Sequence, residues 1–171
     1  ELIIMKKIFP ALLLLVSLSS FSQGITFENS DFKTTLAKAK AEKKLIFLDA
    51  FTSWCGPCKL MAKNIFTKPA VGEFYNRHFV NAKIDMEKGE GIELAKKFNV
   101  KVYPTYLFID SNGEVVHRTI GYVEEKDFLQ FAKDAEDPNR RLGALKKQFE
   151  EGEKNPDFLK NLASITVYTE H

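Results

Sequence analysis

The chain contains two cysteines, Cys55 and Cys58, three positions apart in the run Trp54-Cys55-Gly56-Pro57-Cys58. Disulfide exchange needs one accessible, acidified thiol to attack and a second within reach to resolve the mixed disulfide. This pair has the spacing for both. If a helix begins at the motif, Cys55 lies at its N-terminus, where unpaired N–H groups and the helix dipole favour a thiolate. Cys58 then lies one turn deeper and shielded. Pro57 suits a first-turn position because it has no N–H to leave unsatisfied, and Gly56 leaves room for a partner's backbone. Trp54, beside an accessible thiol, is expected in the docking surface. Two other readings of the pair stand beside this one. Half of a zinc site would need two further ligands at tetrahedral spacing, and His78, His117 and His171 occur only as scattered singletons. A structural disulfide of this spacing would close a very small loop and restrain the unfolded chain little.

The elements that would position this pair alternate between helix and strand periodicity. Phe32, Leu36 and Ala39 recur at helical spacing over Asp31–Lys43, behind an Asp31 N-cap. Leu45–Phe51 is a nearly continuous apolar run, typical of a strand buried on both faces. Asp49 interrupts that run between Leu48 and Ala50, where a carboxylate is costly unless it is used. A helix is expected from the cysteine motif to about Phe66, a shorter one over Pro69–Arg77, a strand over Phe79–Asp85 and a helix over Gly91–Phe98. Thr105–Ile109 and Val115–Ile120 flank Asp110-Ser111-Asn112-Gly113, whose Asn-Gly pair suits the positive dihedrals of a hairpin turn. An amphipathic helix over Glu124–Ala135 closes the domain. The order predicts an α/β fold, a central mixed sheet flanked by helices, over residues 24–136. Residues 137–171 are expected to form a helical hairpin, Arg140–Glu151 and Pro156–Tyr168. It either packs on the domain or begins a tetratricopeptide-like array. Such arrays need about three units, so a packed or truncated appendage is favoured.

Composition narrows the classes of partner. With 25 basic and 23 acidic residues in 171, the chain has a formal charge of +2, too little to draw in nucleic acid or anionic lipid. Fifteen phenylalanines promise an aromatic core. Met5, Lys6 and Lys7, the apolar run Ile8–Val16 and the polar stretch Ser17–Gln23 have the layout of a secretory signal peptide. Ser20 and Ser22 place cleavage near Ser22 or Gln23. The alternative is an uncleaved membrane anchor, but the apolar run is shorter than the roughly 20 residues a bilayer span needs, so cleavage is favoured and no stable membrane insertion is expected after it. Glu1–Ile4 read as an upstream extension. Without residues 1–23 the balance is 23 bases to 22 acids. An exported domain stapled by structural disulfides would spread several cysteine pairs through its loops; here both cysteines sit at one place.

Trp54-Cys55-Gly56-Pro57-Cys58-Lys59 resembles the active site of the thioredoxin superfamily, and Tyr103-Pro104-Thr105 resembles its cis-proline loop. The resemblance spans about residues 26–135. It includes Asp49, at the place of the family's buried carboxylate, and Gly121, at the glycine of the substrate-binding loop. It implies a thioredoxin fold in which Cys55 is the nucleophile, Cys58 resolves and Asp49 handles the proton of Cys58. Pro104, with Tyr103, Thr105 and Gly121, would hold the partner backbone beside Trp54, Gly56 and Pro57. It also implies a redox-active Cys55–Cys58 disulfide with no further cofactor and no metal. The chain departs from thioredoxin at Lys63, where the family has a helix proline, at Phe51, where it has tryptophan, and at the break Ile65-Phe66-Thr67-Lys68-Pro69. These features are closer to exported thioredoxin-like proteins, including the C-terminal domain of the transmembrane thiol:disulfide interchange protein. With the leader, they imply a periplasmic or otherwise exported reductase of disulfides in exported proteins, supplied by a membrane-borne thiol donor. Two alternatives stand: an oxidase or isomerase, and a non-catalytic binding module.

Overall fold

The computed structural model describes residues 24–166; the expected leader in residues 1–23, His171 and the last turn of the expected helix to Tyr168 lie outside them. The chain runs α1 (Phe32–Glu42), β1 (Leu45–Phe51), α2 (Gly56–Asn64), α3 (Pro69–His78), β2 (Phe79–Asp85), α4 (Gly91–Lys97), β3 (Thr105–Ile109), β4 (Val115–Ile120), α5 (Glu125–Glu136), α6 (Leu142–Glu150) and α7 (Pro156–Thr166). The sheet order is β2-β1-β3-β4, with β1 parallel to β2 and the other pairs antiparallel. This is the mixed sheet expected from the sequence, and β1 is buried along its interior.

The alternation of β1 divides the core between the two faces. Phe47 points to an aromatic cluster under α2, α3 and α5, where Tyr75, Phe108 and Phe128 surround it at ring separations of 4.7, 5.6 and 5.7 Å. Tyr75 also stacks on Phe128 and donates its hydroxyl to the Phe128 carbonyl at 2.9 Å, so a buried phenol is satisfied within an otherwise apolar layer. Ile46, Leu48 and Ala50 point to the other face, covered by α1 and α4. Asp49 shares the aromatic face with Phe47, two residues along the pleat.

Local signals explain the boundaries. Asp31 caps α1 by accepting from Thr34 N–H at 2.7 Å, and Glu90 accepts from Phe32 N–H, tying the start of α1 to that of α4. Helix α2 stops at Asn64, two residues before the expected end, because Ile65 and Phe66 both donate back to the Met61 carbonyl and close the last turn. The β3–β4 turn differs from expectation. Gly113 alone takes a positive φ, +84°, and Asn112 does not. Asp110 N–H donates to Glu114 O, and the Asp110 carboxylate accepts from Asn112 and Glu114 N–H. The connection is thus a three-residue loop with the glycine in the left-handed position, which the Asp110 side chain makes more favourable than a two-residue turn.

After α5 the chain does not swing free. Arg140 pairs with buried Asp134 at 2.7 Å, Arg141 donates to the Ala135 carbonyl at 2.8 Å, and α6 packs on β4 through buried Leu145. Helix α7 packs on α6. Among the described residues, no helix is long and apolar enough to cross a membrane.

Candidate active site

Cys55 is the N-cap of α2. Its extended backbone ends the loop after β1, and its Sγ accepts from Cys58 N–H at 3.1 Å. That places the sulfur on unpaired amides at the positive end of the helix, where a thiolate is stabilised. Cys55 and Cys58 are joined in a disulfide, with Cα atoms 5.3 Å apart. Exposure departs from the sequence expectation, since both cysteines are only 2% exposed. The Cys55 side chain turns toward the helix end to cap it and to reach Cys58. What stands in solvent is its surround: Gly56, Pro57 and Trp54, the last at 65% exposure.

Asp49 is 1% exposed, and no backbone N–H or hydroxyl of another described residue donates to either carboxylate oxygen. Its compensation is an ion pair with Lys83 Nζ at 3.2 Å. Burial pushes the Asp49 carboxyl up to about 6, against the pull of Lys83. Lys83 is directly opposite Asp49 in the parallel register of β1 and β2, and its ammonium lies over the rings of Phe51 at 4.7 Å and Phe66 at 5.5 Å. A cavity of about 100 Å³ is bounded by Phe51, Ser53, Cys58, Lys59 and Lys83, among others. It connects the inner cysteine with the ammonium that holds Asp49, and it is large enough for water.

Lys83 did not emerge as a site residue from the sequence. A signal existed: a lysine within a strand whose alternate positions are apolar, at the depth where the neighbouring strand carries a lone acid. Only the register of β1 and β2 makes the two partners.

The Pro104 loop and the motif meet through side chains. The Tyr103–Pro104 peptide bond is cis. Tyr103 meets Trp54 edge to face at 6.0 Å between ring centroids, and Gly121 N–H donates to the Pro104 carbonyl at 2.9 Å. Gly121 has φ +83° and nothing within 4 Å of where a Cβ would sit, so this side of the loop is open. Thr105 is placed differently from a surface contact: it is 1% exposed, and its hydroxyl donates to the Val102 carbonyl at 2.8 Å, bracing the loop from within.

Of the candidate nitrogen ligands, His78 and His117 are engaged away from the cysteines. His78 pairs with Glu136 at 2.7 Å and stacks on Phe74, and His117 is buried between β4 and α6. Among the described residues, no group of three or more His, Cys, Asp or Glu side chains could hold a metal.

With this geometry in place, similarity to known proteins becomes informative. The family model of the thioredoxin-like domain matches residues 32–136. Thioredoxin-1 of Caenorhabditis elegans is 30% identical over 109 residues, spanning 63% of this chain and 85% of its own. Thiol:disulfide interchange protein DsbD of Tatumella citrea is 31% identical over 118 residues; the match spans 65% of this chain but 20% of DsbD. A solution structure from Bacteroides thetaiotaomicron, provisionally described as a disulphide-isomerase, is 49% identical with a TM-score of 0.61. It covers 67% of this chain, and the match covers 95% of that one.

Proposed function

Because this chain belongs to the thioredoxin-like domain family, whose redox centre here is the Cys55–Cys58 pair, we propose that it is a reductase of disulfides in exported proteins. One observation carries the reading. The cysteine pair opens α2, and the cavity beneath Cys58 leads to Lys83 and, through it, to buried Asp49.

The reaction runs in two exchanges. The Cys55 thiolate attacks one sulfur of a substrate disulfide, forming a Cys55–substrate disulfide and releasing a substrate thiolate. Asp49, ionised above about pH 6, takes the Cys58 proton through the cavity. The Cys58 thiolate then attacks Cys55 Sγ and closes the Cys55–Cys58 disulfide. The second substrate thiolate leaves, and the proton on Asp49 passes to it. Two electrons move from the protein dithiol to the substrate, and a dithiol donor returns them by the reverse exchange. During the first exchange Tyr103, Pro104 and Gly121 hold the substrate backbone beside Trp54, Gly56 and Pro57. Export rests on the leader-like segment Met5–Gln23, and the donor is expected to be a membrane-borne thiol protein.

The Gly56-Pro57 pair favours reduction, since the thioredoxin dithiol that it matches is reducing at about −270 mV. The provisional description of the Bacteroides relative favours a second reading, isomerase. The reduction potential of Cys55–Cys58, measured by equilibration with glutathione, separates them. A value near −270 mV supports the reductase, whereas one near −180 mV or above supports the isomerase or oxidase and overturns it.

A further inference from the structure

Beside Trp54 stands an exposed carboxylate, Glu87, that makes no ion pair among the described residues. The loop after β2 is held rigidly: Met86 N–H donates to the Phe51 carbonyl at 2.8 Å, and Glu87 N–H donates to the Asp85 carboxylate at 3.1 Å. From there the exposed Glu87 carboxylate reaches the edge of Trp54, whose Nε1 donates to Glu87 Oε2 at 2.8 Å. An indole N–H is a neutral donor, so it orients the carboxylate and leaves its charge intact. Among the described residues, no cation lies within 4.0 Å of Glu87. Lys88, next to it, is engaged with Asp85 at 3.0 Å, and Lys83 with Asp49. The Tyr103 hydroxyl lies in the same field. Burial first, then the carboxylates of Glu87 and Asp85, push its ionisation up. An exposed indole, the ring of Tyr103 perpendicular to it and a carboxylate held on the indole N–H are the components that recognise a cation: an aromatic surface and a charge-assisted acceptor.

We propose that Trp54, Tyr103 and Glu87 form a recognition corner for a lysine or arginine side chain beside the disulfide of the substrate. The corner rests on the reading of the chain as a disulfide oxidoreductase and gives it a substrate preference. The cation lies over the Trp54 face with an N–H on Glu87, and its backbone enters the open side of the loop made by Pro104 and Gly121. A substrate with an acidic residue at that place meets Glu87 as a like charge and is disfavoured.

Trp54 is the single tryptophan of the chain, so its fluorescence reports docking directly. The oxidised full chain is titrated with three linear, cysteine-free peptides that differ at one position: arginine, serine or glutamate. The arginine peptide is expected to bind about tenfold more tightly than the glutamate peptide at low salt, with the ratio shrinking as salt screens the exposed pair. Glu87→Gln keeps an oxygen acceptor for Trp54 but removes the charge, and should abolish most of that ratio. Equal affinities for the three peptides, no saturable response to the arginine peptide, or a ratio unchanged in Glu87→Gln would overturn the corner. Turnover of hydroxyethyl disulfide, a small neutral substrate, by the unaltered chain tests the oxidoreductase reading separately. Loss of that turnover with the arginine preference intact sinks the enzyme assignment and upholds the corner.

Discussion

At the scale of residues, the proposed proton transfer rests on Asp49 and the partner that the register supplies. A carboxylate this deeply buried is unfavourable in its charged form, and one cation on a partly exposed stem offsets only some of that. The consequence for stability has a definite sign. Unfolded, the Asp49 carboxyl loses its proton near 3.8; folded, it keeps the proton up to about 6. Between those values the native state binds more protons, so Asp49 makes stability fall as pH rises. Each tenfold in proton affinity corresponds to about 1.4 kcal/mol. Asp49→Asn is therefore expected to stabilise the fold by roughly 2–3 kcal/mol at pH 7 and by little at pH 4, read from urea unfolding at the two values. The same variant should slow disulfide exchange at neutral pH. A variant that is both no more stable and no slower would separate Asp49 from the chemistry of Cys58.

At the scale of elements, β4 and α6 are joined by a buried histidine. His117 Nδ1 accepts from Leu142 N–H, in the first turn of α6, at 3.3 Å, and its Nε2 has no hydrogen-bond partner among the described residues. An imidazolium would lose the acceptor and bury a charge. Burial first, then nearby Arg141, lower its ionisation to about 4. Here the sign is opposite to that of Asp49. The unfolded chain takes up the proton near 6.5, so His117 stabilises above that pH and its contribution is lost as pH falls toward 4. The two groups act against each other between about pH 4 and 6. We expect the unaltered protein to show a nearly flat profile there. His117→Gln, which keeps an acceptor for Leu142, should expose the falling limb that Asp49 imposes. Circular dichroism during denaturant titration at half-unit pH steps provides the comparison. A parallel profile for variant and parent would remove His117 from the acid response.

At the scale of the whole molecule, the question is whether the C-terminal helices form a separate unit. The connection into α6 is fastened by Arg140 at Asp134, by Arg141 at the Ala135 carbonyl and by Leu142 N–H at His117, and Leu145 is 3% exposed. These contacts make α6 an extension of the same core beyond β4. Leu145→Ala should accordingly lower the global stability by about 2–5 kcal/mol within one unfolding transition, while the rate of disulfide exchange stays the same. Two separated transitions in the variant, or in the parent, would show α6 and α7 to be an independent hairpin.

What the amino-acid sequence determined by itself was everything that periodicity and local chemistry control. The apolar run around Asp49, the amphipathic helices, the proline in the first turn after Cys55 and the two thiols one turn apart depend on neighbours within a few residues. So does the order of elements, from which the fold class was read. Tertiary structure alone decided how distant residues pair. The strand register set Lys83 against Asp49, and the loop after β2 set Glu87 against Trp54; neither pairing is implied by spacing along the chain. The packing of α6 made His117 a buried acceptor instead of a surface side chain. The exposure of Cys55 was also decided there, because a cap residue must turn its side chain into the helix end that it satisfies. Strand register and helix docking follow from the sum of many apolar contacts across the core, and no single residue carries that sum in its own type or position.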